Sequence, residues 1–123
     1  MDPWDVYWGL VPLGSTGKKK ILILIELSQA LFMTINTESP NACPEAGLEI
    51  SPRECPFLKY ESYIDTSRLR QFPMTWLNEK VRNGDGKILG KLPLPIRRKI
   101  SKLVQEHGML SEEHQDLVTK AAL

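Results

Sequence analysis

The first part of the chain opens with a stretch that alternates from side to side at the period of a β-strand. Across residues 4–13, WDVYWGLVPL, Val6, Trp8 and Leu10 fall on one side and Tyr7, Gly9 and Val11 on the other. Pro12 cannot donate to a ladder, so this strand ends there or lies on an edge. Gly14, Ser15, Thr16 and Gly17 predict a turn, and Lys18, Lys19 and Lys20 follow at the mouth of the next strand. The run Ile21 to Leu27, ILILIEL, predicts a strand buried on both faces. Ser28 and Gln29 reverse it into Ala30 to Thr37, ALFMTINT. Consecutive strands joined by short turns form an antiparallel meander.

From Glu38 to Pro56 the pattern is irregular, interrupted by Pro40, Pro44, Pro52 and Pro56, and only Leu48 to Ile50 reads as extended. A connection this long in a small domain is functional or ordered by a partner. Cys55 to Phe72, CPFLKYESYIDTSRLRQF, then predicts the strand that closes the sheet. Phe57, Leu58, Tyr60, Tyr63 and Ile64 suit a half-buried pleat, and Asp65, Thr66, Ser67, Arg68 and Arg70 are carried to its rim.

After Pro73 the period becomes helical. Trp76, Leu77, Lys80 and Val81 predict a short helix stopped by Asn83-Gly84. A Gly84–Gly86 turn leads to a second helix opened by Pro95 and running to about His107. Its apolar stripe is Ile96, Ile100, Leu103 and Val104, with Arg97, Arg98, Lys99 and Lys102 facing outward. Gly108 terminates it. Ser111 caps a third helix that begins with Glu112 and Glu113 and packs through Leu117, Val118 and Ala121. The expected fold is mainly β with C-terminal helices: a small antiparallel β-barrel of about five strands over residues 4–72, then a helical extension over 73–123.

At 123 residues the chain is one domain with a single core. A net charge of +1 provides no overall field to draw in nucleic acid or an anionic membrane. Charge is nonetheless unevenly placed. Lys80, Arg82, Lys87, Lys91, Arg97, Arg98, Lys99 and Lys102 stand against Asp85 alone, whereas residues 38–54 lean acidic. The basic stretch is either a solvated helix face or a surface turned to phosphate. Cys43 and Cys55 lack the spacing of a metal site and read as two reduced thiols. Asp2 and Asp5 occupy the place of a cationic leader region, and Ile21 to Ile25 is too short to span a bilayer. The expectation is a soluble, cytoplasmic protein without a membrane association.

Recognised catalytic patterns are absent. The Gly14–Lys18 run lacks the spacing of a phosphate-binding loop and leads into a strand, so no helix dipole backs it. There is no GxSxG elbow, and Gly108 places His107 and His114 in different elements, so they read as surface histidines. What remains is a metal-free and cofactor-free site at the barrel mouth, built from Lys18–Lys20, Thr34 or Thr37, Ser62, and Asp65 with Arg68 or Arg70. Its chemistry would be RNA cleavage through the 2′-hydroxyl. Asp65 would take the proton, Arg68 or Lys19 would stabilise the phosphorane, and Thr37 would hold a phosphate oxygen.

The order DVYWGLVPL, GKKKILILI, LFMTINTE, SYIDTSRL resembles the PemK/MazF-like family of growth-inhibiting toxins over about residues 4–70. Asp5-Val6-Tyr7-Trp8 matches the family's opening G-D-I-V-W strand, and Gly17-Lys18-Lys19-Lys20 its Gly-Arg-Arg-Pro-like turn. Ile35-Asn36-Thr37-Glu38 falls where a strand ends in Thr-Ser, and Asp65-Thr66-Ser67-Arg68-Leu69 matches its Asp-x-x-Arg-Leu segment. The resemblance implies an SH3-like barrel and a metal-independent endoribonuclease acting on single-stranded RNA, forming a homodimer and held by an antitoxin protein. It implies Thr37 and Asp65 as active-site positions and Lys19 in place of an arginine. The family's arginine before the aspartate falls on Tyr63 or Ser62 and is missing, so Arg68 or Arg70 takes over, or the barrel only binds. The expected catalytic set is thus Asp65, Thr37 and Arg68, with Lys18, Lys19, Lys20 and Arg70 on the RNA. Two further readings stay open: a catalytically inactive barrel that binds a protein partner, and a nucleic-acid-binding module without chemistry.

Overall fold

The second strand buries consecutive residues: Leu22, Ile23 and Leu24 are 0% exposed and Ile25 is 1% exposed. Side chains alternate across a strand, so both faces of the sheet around it must be covered. A computed structural model, which describes residues 1–13 and 17–123, shows how. The strands are β1 (Asp5–Val11), β2 (Lys18–Glu26), β3 (Leu31–Asn36), β4 (Gly47–Ile50), β5 (Ser62–Gln71) and β6 (Gly86–Lys91). The helices are α1 (Met74–Asn83), α2 (Leu94–His107) and α3 (Glu112–Ala121), with a single 3-10 turn at Pro44–Ala46. The six strands form one antiparallel sheet in the order β4-β5-β3-β2-β1-β6.

One face of this sheet carries Val6, Ile23, Met33, Ile35 and Ile64 against Ile96, Ile100 and Val104 of α2 and Val118 of α3. The other carries Tyr7, Val11, Leu22, Leu24 and Phe32 against Phe72 and Leu77 of α1. Phe32 and Phe72 meet edge to face with ring centroids 5.8 Å apart. The N-terminus is tied to the far end of the chain by the Trp4 indole, which donates to the Ala121 carbonyl at 2.7 Å.

The mainly β architecture with C-terminal helices is as expected, and β1, β2 and β3 form the meander. Closure into a barrel is corrected: β4 and β6 end the sheet and do not pair with each other. A closed barrel has one filled interior and requires apolar residues at alternate positions only. Here both parities of β2 are apolar, and the sheet stays open with a helical layer on each face. The division at residue 72 is corrected too, because β6 lies within the expected helical extension and pairs with β1 (Trp8↔Lys87, Tyr7↔Ile88). The long predicted strand begins only at Ser62. Before it, Cys55 N donates to Ser51 O and Leu58 N to Cys55 O, both at 2.9 Å, winding that segment into turns. Of the predicted Gly14–Gly17 turn, Gly14, Ser15 and Thr16 lie outside the described residues.

The helix ends follow from their residues. Gly84 closes α1 with φ 90, Gly108 N donates to Val104 O at the end of α2, and Ser111 Oγ accepts from His114 N at 3.2 Å to cap α3. Arg97 does not face outward as expected. Its Nε donates to Leu92 O at 2.6 Å, and its guanidinium lies 5.9 Å from the Trp4 ring centre.

The β1–β6 crossing depends on two glycines opposite each other in register. A Cβ on Gly9 would stand 2.5 Å from Gly86 Cα, and one on Gly86 would stand 2.6 Å from the Tyr7 hydroxyl. That hydroxyl is fixed by donating to Leu10 O at 2.6 Å. Gly86→Ala therefore forces the edge strand away and should lower unfolding free energy by about 1–3 kcal/mol. Gly84→Asn should cost less, about 1 kcal/mol or below, because asparagine is the side chain best suited to the left-handed cap and a Cβ at Gly84 meets nothing within 4 Å. Urea titrations of the two variants check the contrast.

Candidate nucleic-acid interface

Strand alternation and register assemble a site on the α2/α3 face of the sheet, beyond the part those helices line. Trp8 on β1 stands opposite Ile21 on β2 and Lys87 on β6, and Ile21 stands opposite Ile35 on β3. Lys19, two residues before Ile21, shares their face. These side chains form the floor and one rim of a cavity of about 510 Å³. The turn segment before β5 adds Phe57, Leu58, Lys59 and Tyr60 to the lining, and Thr37, just past the end of β3, also lines it.

The electrostatics are one-sided. Lys19 Nζ lies 5.2 Å and Lys87 Nζ 5.5 Å from the Trp8 ring centre, so β2 and β6 each place an ammonium beside the half-buried indole. Lys20 and Lys59 also contribute to the lining, and among the described residues no carboxylate does. None of these four lysines forms an ion pair with a described acid; the described pairs are Lys91–Asp5, Lys99–Glu54 and Lys102–Glu106. An apolar, aromatic floor under unpaired ammonium groups suits a ligand that is planar and anionic.

The structure brings together only part of the sequence-predicted set. Lys19, Lys20, Thr37 and Ser62 line the cavity. Lys18 is exposed at the start of β2 and does not line it. Asp65 is 9% exposed and sits opposite Thr34 and Gly47, outside the lining. Its Oδ1 accepts from Ser67 N at 3.0 Å and from Ser67 Oγ at 2.6 Å, so the carboxylate is occupied in holding its own strand. Thr34 is also away from the cavity, its hydroxyl accepting from Asn36 Nδ2 at 3.3 Å. Arg68 is exposed beyond the irregularity in the β3–β5 ladder, and Arg70 lies over Phe72 at 5.4 Å. Asp65, Thr37 and Arg68 therefore do not share a pocket, and the acid–hydroxyl–cation arrangement expected for cleavage is not assembled.

Trp8, Phe57, Lys59, Tyr60 and Lys87 went unnoticed as site residues. The pairing of Trp8 with Lys19 was visible in principle, since a β1–β2 hairpin puts both on one face. Lys87 was not, because its place depends on β6.

His107 is corrected from a surface residue to a half-buried tether. The Thr66 hydroxyl donates to Ala46 O at 2.7 Å, so it accepts from His107 Nε2 at 3.0 Å, while Nδ1 accepts from Met109 N at 2.9 Å. Nε2 thus joins α2 to β5, and Nδ1 holds the turn that follows α2. Among the described residues no group of three or more His, Cys, Asp or Glu is placed to hold a metal ion, and no helix is long and apolar enough to cross a membrane. No protein-family model matches the chain, and no curated protein matches it.

Cys43 and Cys55 are unbridged. Burial, and secondarily the charge of Glu54, pushes the Cys55 thiol from its ordinary 9.0 to about 11. The unfolded chain therefore loses this proton at a pH where the folded chain keeps it, and stability falls as pH rises through 9 to 11. Tyr7, raised by burial and then by Asp85, adds to the fall in the same direction above its ordinary 10.0. Unfolding titrations across this range should show a shallower decline for Cys55→Ala than for the wild type. At neutral pH iodoacetamide should label Cys43 and spare Cys55 in the folded protein.

Proposed function

We propose that this chain is an RNA-directed module that holds a single strand at the Trp8 cavity. The observation that carries the reading is the half-buried indole between the Lys19 and Lys87 ammonium groups, in a cavity whose described lining has no acid. Proteins that bind single strands combine cations that follow the backbone with aromatic rings on which bases stack. The resemblance of residues 4–70 to the PemK/MazF-like toxins supports RNA as the nucleic acid. A free hydroxyl acceptor or donor at Thr37 is suited to a phosphate or sugar oxygen at the same mouth.

Magnitudes favour stacking over leaving the lysines where they are. An exposed cation–π contact contributes about 0.5–1 kcal/mol, whereas a base stacked on an aromatic side chain contributes about 1–3 kcal/mol. A base therefore displaces a lysine from the ring, and the released ammonium is well placed for the adjoining phosphate. The cleavage version of the reading would require a general base within hydrogen-bond reach of the 2′-hydroxyl. Asp65, the expected base, is engaged with Ser67 outside the cavity, so the reading is one of binding.

Titration of single-stranded RNA by fluorescence anisotropy at several salt concentrations tests this. With three or four lysines on phosphates, the slope of log K against log salt should be about −2 to −3, and Lys19→Ala should reduce it by about 0.7. Trp8→Ala should cost about 1–3 kcal/mol. Asp65→Asn should leave affinity unchanged, and RNA incubated with the protein in EDTA should keep its ends intact. Salt-independent binding, or new cyclic-phosphate ends that disappear with Asp65→Asn, would refute the reading.

A further inference from the structure

We propose that the cavity is a slot for one unpaired nucleobase, held between the Trp8 indole and the Tyr60 phenol with its flanking phosphates on Lys19, Lys59 and Lys87. The inference rests on the RNA-directed reading above and narrows it to a strand whose bases are free to leave a stack.

Tyr60 is 68% exposed, although the segment that carries it is anchored in the core through Cys55 and Leu58. Cys55 is 0% and Leu58 5% exposed, and the Ser62 hydroxyl donates to the Tyr60 carbonyl at 2.9 Å. Phe57 lies against Gly90 of β6, where a Cβ would stand 3.4 Å from Phe57 Cδ1, so the segment spans from β5 to the far edge of the sheet. The backbone at Tyr60 is thus fixed while its ring remains in water. Such a ring has nothing to gain within the fold and a π-face to offer to a ligand.

Trp8 forms part of the floor of the same cavity and Tyr60 part of its wall, with Lys59 next to Tyr60 and Lys19 and Lys87 beside Trp8. Trp8 belongs to the sheet and Tyr60 to the turn segment before β5, so two separate elements each bring an aromatic group and a lysine to the one space. A volume of about 510 Å³ is that of a pocket for a small molecule or a single nucleotide. A base within a duplex has both faces covered by its neighbours and must be unstacked before it can enter such a space, at a cost that an already single-stranded base avoids.

The experiment compares a short fluorescently labelled RNA single strand with the same RNA fully paired, at fixed low salt, using the full chain as wild type, Tyr60→Phe and Tyr60→Ala. Circular dichroism of each variant checks the fold, which an exposed side chain should not disturb. The single strand should bind Tyr60→Phe as tightly as the wild type, because the ring survives without its hydroxyl. Tyr60→Ala should bind it about 5- to 150-fold more weakly, the loss of one stacking partner. The duplex should bind at least about tenfold more weakly than the single strand, and a free nucleoside monophosphate should compete. If Tyr60→Ala retains wild-type affinity, or the duplex binds equally well, the base slot is wrong while the RNA-directed reading stands. If no single strand binds at any salt concentration, both fall together.

Discussion

The fold depends on the burial of β2 on both of its faces. A strand with Leu22, Ile23, Leu24 and Ile25 all removed from water cannot lie in a wall with one wet side. It requires an apolar layer above and below, and the C-terminal half of the chain supplies both, α1 on one face and α2 with α3 on the other. The same requirement excludes a bare barrel, whose outer wall would leave half of these side chains in solvent. Each fully buried side chain of this size contributes about 1.5–3 kcal/mol, so β2 outweighs any local preference of the turns that flank it.

Coverage of the sheet by α2 and α3 is incomplete, and that incompleteness forms the candidate site. The helices bury Ile23, Met33 and Ile64, but Trp8, Ile21 and Ile35 also border a cavity that neither helix lines. The remaining edge is set by the approach of Gly9 to Gly86. Without side chains at both positions β6 comes close enough to place Lys87 opposite Trp8. A packing constraint on the α1 face, where the Tyr7 ring lies against Gly86, thereby determines the position of a cation on the other face.

Much of this was legible in the sequence wherever a local pattern sufficed. The alternation in residues 4–13 located β1, and the apolar run after Lys20 located β2 with its two buried faces. The helices were legible because their apolar stripes agree with their ends at Gly84, Gly108 and Ser111. What was missed depends on long-range pairing. In β6 the glycines at 86 and 90 and the flanking lysines weaken the local strand signal, and only pairing with β1, nearly eighty residues earlier, makes it a strand. Cys55–Glu61 has the aromatic content of a strand but winds into turns that anchor Cys55 and Leu58 in the core. Three of the seven expected site residues, Lys19, Lys20 and Thr37, line one cavity, because β2 and β3 run where the local pattern puts them.

Asp65 illustrates why residue types near the end of a strand do not by themselves make a reactive centre. One step along a strand reverses the face, and Ile64, which packs in the core beneath α2, places its neighbour Asp65 on the opposite side. There the carboxylate takes two hydrogen bonds from Ser67, the closest donors available as β5 passes the irregularity in its ladder with β3. Moving it into the cavity would break both bonds, and a one-residue shift of β5 would also turn Ile64 out of the core and Asp65 into it. The penalty for an unpaired carboxylate in the apolar core far exceeds what a single electrostatic contact to a ligand returns. The geometry of the core thus leaves the cavity with aromatic rings and ammonium groups and with no described acid among them.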